Sequence, residues 1–223
     1  MDVIEAILAR HSVRDFKSDP VKKETILKIL EAAGRSPSSG NSQPWHIFVA
    51  GGKVMEKIRQ SYLERFEKDV PGKPEMASTP PNQWPPALLA RMEKQRDERN
   101  KLLGINIQDK AAMRANMAKG NKFFGAPVLL VLCMDRGLSE FSAYDLGLLS
   151  QTIMLAAQNF GLGSIVARGF INHPDILREE LAIPDNVQIV IGIAIGYKDD
   201  KSIINTYRSS RRPVQEMATF KGL

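Results

Sequence analysis

Apolar positions recur along this chain at two periods. Ile4, Ile7 and Leu8 share one side of a helix that ends near Arg10, and Val21, Ile26, Leu27, Ile29, Leu30 and Ala33 mark a second amphipathic helix closed by Gly34. Spacings of three and four residues keep side chains on one face of a 3.6-residue turn, and a glycine past the last of them stops the helix. The next nine residues, PSSGNSQPW (37–45), have the composition of a loop. A strand over His46–Ala50, a Gly51-Gly52 turn and a third helix around Val54–Phe66 are expected after it.

The pattern then breaks. From Val70 to Pro86 the chain carries six prolines and little periodicity, before two helix-like pieces at about Ala87–Leu103 and Asp109–Phe123. A long irregular stretch inside a compact protein is usually a lid or a draped insertion, so residues 70–122 read as an excursion from the main body. Regular alternation resumes with a strand over Val128–Met134 and a long helix from about Ala143 to Phe160, stopped by Gly161-Leu162-Gly163. A short strand Ser164–Ala167, a turn at Gly169, a helix Pro174–Leu181 and a final strand Gln188–Gly196 complete the series. Helices outnumber strands and separate them, which predicts an α/β or α+β class with helices packed on a central sheet.

Composition narrows this little. At 223 residues, 43% hydrophobic and 25% charged, the chain can bury one substantial core, so a single domain over 1–223 is expected. Its start, MDVIEAILARHS, has an acid at Asp2 and no long apolar core, so neither a signal peptide nor a lipid anchor is expected. No apolar run approaches the ~20 residues of a membrane helix. The single cysteine, Cys133, lies in the apolar run Ala126–Met134, which excludes a disulfide framework, predicts a buried inert thiol and points to the cytoplasm. The net charge of +6 raises nucleic acid as a partner, but the basic residues are dispersed, and the densest group, RMEKQRDERNK (91–101), alternates with acids like a solvated helix face. A phosphorylated small molecule or cofactor accounts for the surplus better.

Most catalytic constellations fail. His11, His46 and His173 lack metal-ligand spacing, no GxSxG elbow or Walker A frame is present, and Gly161-Leu162-Gly163 precedes a strand, the reverse of dinucleotide-binding order. What remains is a set of Arg, Ser, Asn and Gln side chains in three separated segments: RHSVR at 10–14, the 37–45 loop, and RSSRR at 208–212. Guanidinium forks and hydroxyls suit a dianionic phosphate. Alone, each segment is more often a surface turn.

In this order the motifs RHSVRDF, PSSGNSQPW, GLGS…ARGF, IPDNVQIVIGIAIGY and NTYRSSRRPVQE resemble the FMN-dependent nitroreductase family over residues 1–66 and 123–223. The resemblance implies an α+β homodimer, with a central, mostly antiparallel sheet surrounded by helices and FMN at the subunit interface. It places Arg10, Ser12, Arg208 and Arg211 at the FMN phosphate and ribityl chain, with His11 contributing through its backbone. Arg14 falls at the pyrimidine edge of the flavin, where a fixed cation favours the charge left by hydride arrival. Gly169 would turn its N–H toward flavin N5, beside Arg168, which stands where the family often has an acidic or polar residue. Pro37, Ser38, Ser39 and Asn41 would reach FMN held mainly by the other subunit, with Gln43 supporting the loop or the ring edge.

A further Asn and Lys that many relatives carry after the third helix fall where this chain enters its excursion and are not placed. The excursion resembles the lid of nitroaromatic-reducing and dehalogenating subgroups. Trp84, Phe123 and Phe124 are candidates to stack on substrate, and Arg91, Arg96 or Arg99 to meet a carboxylate; core packing or a solvated helix is the simpler account of each. The resemblance thus implies hydride transfer from NADH or NADPH through FMN to nitroaromatic, quinone or similar electron-poor acceptors. Reductive dehalogenation, enoate-type reduction, or flavin storage and sensing without turnover are the alternatives. Neither nucleic acid nor a membrane is an expected partner.

Overall fold

The structure is a computed structural model describing residues 2–222. Among the described residues, β1 (Trp45–Gly51), β2 (Val128–Asp135), β3 (Gly163–Ala167) and β4 (Val187–Gly196) form one sheet of order β1-β2-β4-β3 with every neighbouring pair antiparallel. The helices are α1 (Val3–Ala9), α2 (Lys23–Ala33), α3 (Gly52–Glu67), α4 (Pro86–Leu102), α5 (Lys110–Asn121), α6 (Glu140–Asn159) and α7 (Pro174–Leu181). This is the expected α+β arrangement: helices separate the strands along the chain, yet all three strand pairs are antiparallel, with β4 inserted between β2 and β3.

The continuous apolar run of β2 follows from its central place, because both faces of the strand are covered. Successive side chains of a strand alternate between faces, so Leu129, Val131 and Cys133 pack on one side with Met55, Ile58 and Tyr62 of α3. Leu130, Leu132 and Met134 pack on the other with Ile29 of α2 and Leu149 and Ile153 of α6. Each fully buried aliphatic side chain here stabilises by about 1.5–3 kcal/mol. A register irregularity between Leu132 and Cys133 lets β4 shift against β2. Burial pushes the Cys133 thiol up to about 12, so it stays protonated and inert.

Two features prepare the site. Helix α1 is started by a capping box: Asp2 accepts from the Glu5 N–H at 2.9 Å, and Glu5 accepts from the Asp2 N–H at 3.0 Å. Its apolar stripe forms as expected but stays uncovered, with Ile4 60% and Leu8 77% exposed. The excursion is pinned at both flanks. At its start the Glu75 carboxylate accepts from Arg178 Nε (2.9 Å) and Nη2 (2.7 Å), from Arg136 (3.1 Å) and from the Ile189 N–H (2.9 Å). At α5, Arg114 donates to Asp69 at 2.7 Å and lies 4.7 Å from the Phe66 ring centroid. Between these pins, α4 buries only Asn100.

Candidate functional site

The N-terminal motif is laid along the free edge of β3. Val13 donates its N–H to the Ser164 carbonyl at 3.0 Å, and Ser12 and Ser164 make a parallel bridge. Only glycine fits at 163, since a Cβ there would stand 2.5 Å from Val13 Cγ2. One side chain then ties this segment to the far end of the chain. Asn205, 3% exposed, accepts from the Arg14 N–H at 2.8 Å and donates to the Asp15 carbonyl at 2.7 Å and the Asp199 carbonyl at 2.9 Å. Arg208, three residues on, donates to the Asn205 carbonyl at 2.9 Å.

The result is a hollow of about 430 Å³ lined by Arg10, His11, Ser12, Arg14, Arg208 and Arg211, with Tyr207 and Gln95 beside them. No Asp or Glu lines it, and among the described residues none of its four arginines makes an ion pair. Partial burial, and then Arg211, hold the Arg10 guanidinium below its ordinary value. His11 is likewise lowered, first by burial and then, against its bond to Ala9, by Arg208, Lys198 and Arg10. Its Nδ1 lies 2.9 Å from the Ala9 carbonyl, which can only accept, so Nδ1 carries the proton. Nε2 is therefore an acceptor in neutral His11, and it is buried with no partner. Cations gathered without acids, next to an orphaned acceptor, are arranged to receive an anion that also carries hydroxyl groups.

Arg14 also reaches a second hollow of about 170 Å³, closed by Arg99 and Asn100 of α4, Asn116 and Lys119 of α5, and Phe124. Burial, then repulsion from Arg99, lowers the Arg14 guanidinium to about 10. Asn116 and Lys119 were not singled out by sequence reasoning. Their three-residue spacing on one face of α5 was the available signal, but the flanking irregular chain gave no reason to bring α5 to Arg14.

The remaining expected residues lie elsewhere in the chain. Gly169 sits in the 3-10 turn after β3, held by Phe170, whose buried ring packs on Phe123 with centroids 5.0 Å apart and whose carbonyl accepts from Tyr62 Oη at 2.8 Å. Phe123 is thus core and not a stacking platform. A Cβ on Gly169 would meet nothing within 4 Å, and its φ is not positive, so neither packing nor backbone requires glycine there. Arg168 lines a separate apolar hollow of about 410 Å³ with Met154, Val166 and Ile171 and takes no part in the arginine cluster.

The 37–45 loop is docked on α6, away from that cluster. Ser39 donates its N–H to Asp145 at 3.2 Å, Ser36 donates to Thr152 at 2.8 Å, and Gln43 donates its N–H to Ser38 Oγ at 3.0 Å. Asn41 (φ 56°) and Gln43 (φ 48°) both adopt left-handed backbone, and Pro37, Ser39, Asn41 and Gln43 are exposed. The exposed side chains of this loop thus stand on a base fixed to α6, with none of them lining the arginine hollow. Among the described residues no cluster of metal-ligating side chains exists, and no helix is long and apolar enough to cross a membrane.

Known proteins share both the sequence and the architecture. The model of the Nitroreductase family matches residues 7–197. The 4-nitrobenzoate reductase of Pseudomonas putida is 32% identical, over 99% of this chain and 96% of that protein. The nitrobenzene nitroreductase of Ectopseudomonas oleovorans is 32% identical, over 97% and 95%. The crystal structure of the FMN and NADPH-dependent nitroreductase NfnB from sphigopyxis sp. strain HMH superposes with a TM-score of 0.93 at 28% identity, covering all of both chains. With its terminal arginine motifs joined by Asn205 on this shared architecture, the chain belongs to the nitroreductase family.

Proposed function

We propose that the protein is an NAD(P)H-dependent FMN oxidoreductase that reduces nitroaromatic, quinone and similar electron-poor acceptors, acting as a homodimer with FMN at the subunit interface. The observation that carries this reading is the acid-free cluster of Arg10, Arg208 and Arg211 beside the orphaned Nε2 of His11. Those residues fit FMN, whose phosphate takes the guanidiniums and whose ribityl hydroxyls can donate to His11 and meet Ser12. FMN supplies a ring able to accept hydride from a nicotinamide and release it to an acceptor.

The chain's own residues bind and orient. Arg14 presents a fixed cation to the pyrimidine edge of the ring, and Asn116 and Lys119 are placed to assist it. The space above Gly169 leaves its N–H open to the ring. No side-chain acid or base is assigned. The 70–122 excursion serves as a lid, an assignment supported by the sparse burial of α4, which lies between the Glu75 and Arg114 pins, and of α5, which carries the second pin.

Dimerisation is supported by what the chain leaves uncovered. Val3, Ile4, Ile7 and Leu8 of α1 are exposed, as are Phe141 and Tyr144 of α6, Met217 and Phe220. Apolar exposure of this extent marks an interaction surface. Pro37, Ser38, Ser39 and Asn41 then serve the FMN of the partner. Drawing on NADH or NADPH, the reaction belongs in the cytoplasm.

Mixed dimers test the shared site. One protomer carries Arg208→Ala with Arg211→Ala, and the other carries Ser39→Ala with Asn41→Ala. Loops that serve the partner's cradle leave one intact site and half the FMN of the wild type, whereas loops that serve their own cradle leave none.

A further inference from the structure

Helix α4 is held to the rest of the protein at one polar point. Its single buried residue, Asn100, turns back into the excursion, 3.9 Å from Met113 Sδ of α5. Among the described residues one hydrogen bond joins α4 to the chain outside residues 70–122: Tyr207 Oη donates to the Glu98 carboxylate at 2.8 Å. Lys94, 3.9 Å from Glu98, belongs to the same helix and adds no link to the body. Burial, then Glu98, hold the Tyr207 hydroxyl above its ordinary value, so it keeps its proton and remains the donor.

Tyr207 follows the 3-10 turn Ile203–Thr206 and directly precedes Arg208, whose guanidinium donates to the Tyr207 carbonyl at 3.0 Å. It lines both the arginine hollow and a larger one of about 960 Å³ between α4 and the C-terminal segment. Gln95, three residues before Glu98 and on the same face of α4, reaches the arginine hollow. The bond to Glu98 therefore fixes the part of the lid that stands beside the phosphate site.

We propose that the Tyr207–Glu98 hydrogen bond is a clasp that holds α4 closed beside the FMN phosphate. Tyr207 and Glu98 are then positioning residues that set how fast the cofactor enters and leaves. The inference rests on the FMN reading and lid assignment above. A closed lid slows entry and exit alike, whereas a contact to the cofactor slows exit alone. Affinity comes from the arginines, and the clasp governs exchange.

Stopped-flow flavin fluorescence tests this by measuring FMN association and dissociation in the wild type, Tyr207→Phe and Glu98→Ala. Both rate constants rise in each variant by roughly 5- to 30-fold, the size of one hydrogen bond to a half-exposed carboxylate, while Kd changes little. Glu98→Gln keeps an acceptor and falls between. Faster dissociation with unchanged association, or unchanged rates in both variants, overturns the clasp.

Hydrogen exchange of the full chain without FMN reads the clasp independently of the cofactor. Amides of α4 exchange roughly 5- to 30-fold faster in Tyr207→Phe, while those of α6 keep their wild-type rates. Wild-type exchange in α4 overturns the proposal. A wild type that binds no FMN refutes the cofactor reading, and the exchange measurement still decides whether Tyr207 holds the lid.

Discussion

Glu75→Ala is expected to cost far more than a surface ion pair would. The Glu75 and Arg178 side chains are 14% and 16% exposed, and the carboxylate gathers two guanidiniums and the Ile189 N–H. Removing one partner of a buried pair costs about 3–5 kcal/mol, because a desolvated charge is left behind. Arg178 would keep three backbone acceptors, the carbonyls of Ile183, Pro184 and Val187 at 3.2, 2.8 and 2.7 Å, which lowers the figure to about 2–4 kcal/mol.

For a chain of this length each kcal/mol moves Tm by about 2–4 °C, so the drop is about 5–15 °C. Thermal melts must hold FMN and protein concentration fixed, since both shift Tm by mass action. Because Glu75 ties the start of the lid to β4 and α7, limited proteolysis within residues 77–86 should also accelerate. In Glu75→Ala with Arg178→Met, the loss should be about 0.5–3 kcal/mol smaller than the sum of the two single losses. A drop under about 2 °C with additive singles would refute the reasoning, because such a pair would behave as a solvated one.

Other consequences follow from the site. Gly169→Ala should leave the melting of the FMN-free protein unchanged within about 0.5 kcal/mol, since its Cβ meets no protein atom, while lowering FMN affinity by roughly 5- to 100-fold; unchanged affinity by fluorescence titration would remove the ring from that space. Arg208→Ala with Arg211→Ala should weaken FMN binding by roughly 100-fold or more, and wild-type affinity would refute the phosphate assignment. Burial lowers His11 and His173 from the ordinary 6.5, so the unfolded chain binds more protons and stability falls as pH drops below about 6.5. Denaturant titrations should show a shallower fall in His173→Gln; an equally steep fall would assign the pH dependence to other groups.

Much of the fold was legible because its signals are local. The run Ala126–Met134 reads as a buried strand, the stripe Ile26, Ile29 and Ala33 as a packed helix, and Pro174 opens α7 where the sequence places it. Strand order was not legible, since pairing β4 between β2 and β3 depends on contacts distant in sequence. At the site, the arginine motifs could be read as types suited to phosphate, but their meeting depends on Asn205, whose sequence context gives no hint that its side chain binds Arg14 and Asp15. The inner hollow was harder still. Its residues come from α4 and α5, whose weak amphipathicity leaves no pattern saying which face turns inward.

The most direct test of the central claim is an anaerobic absorbance titration of the purified protein with FMN, followed by NADPH and then 4-nitrobenzoate. The expected result is saturation at one FMN per chain, loss of the visible flavin band on adding NADPH, and its return on adding the nitroarene. Failure to bind FMN, or bound flavin that NADPH does not bleach, would contradict the account.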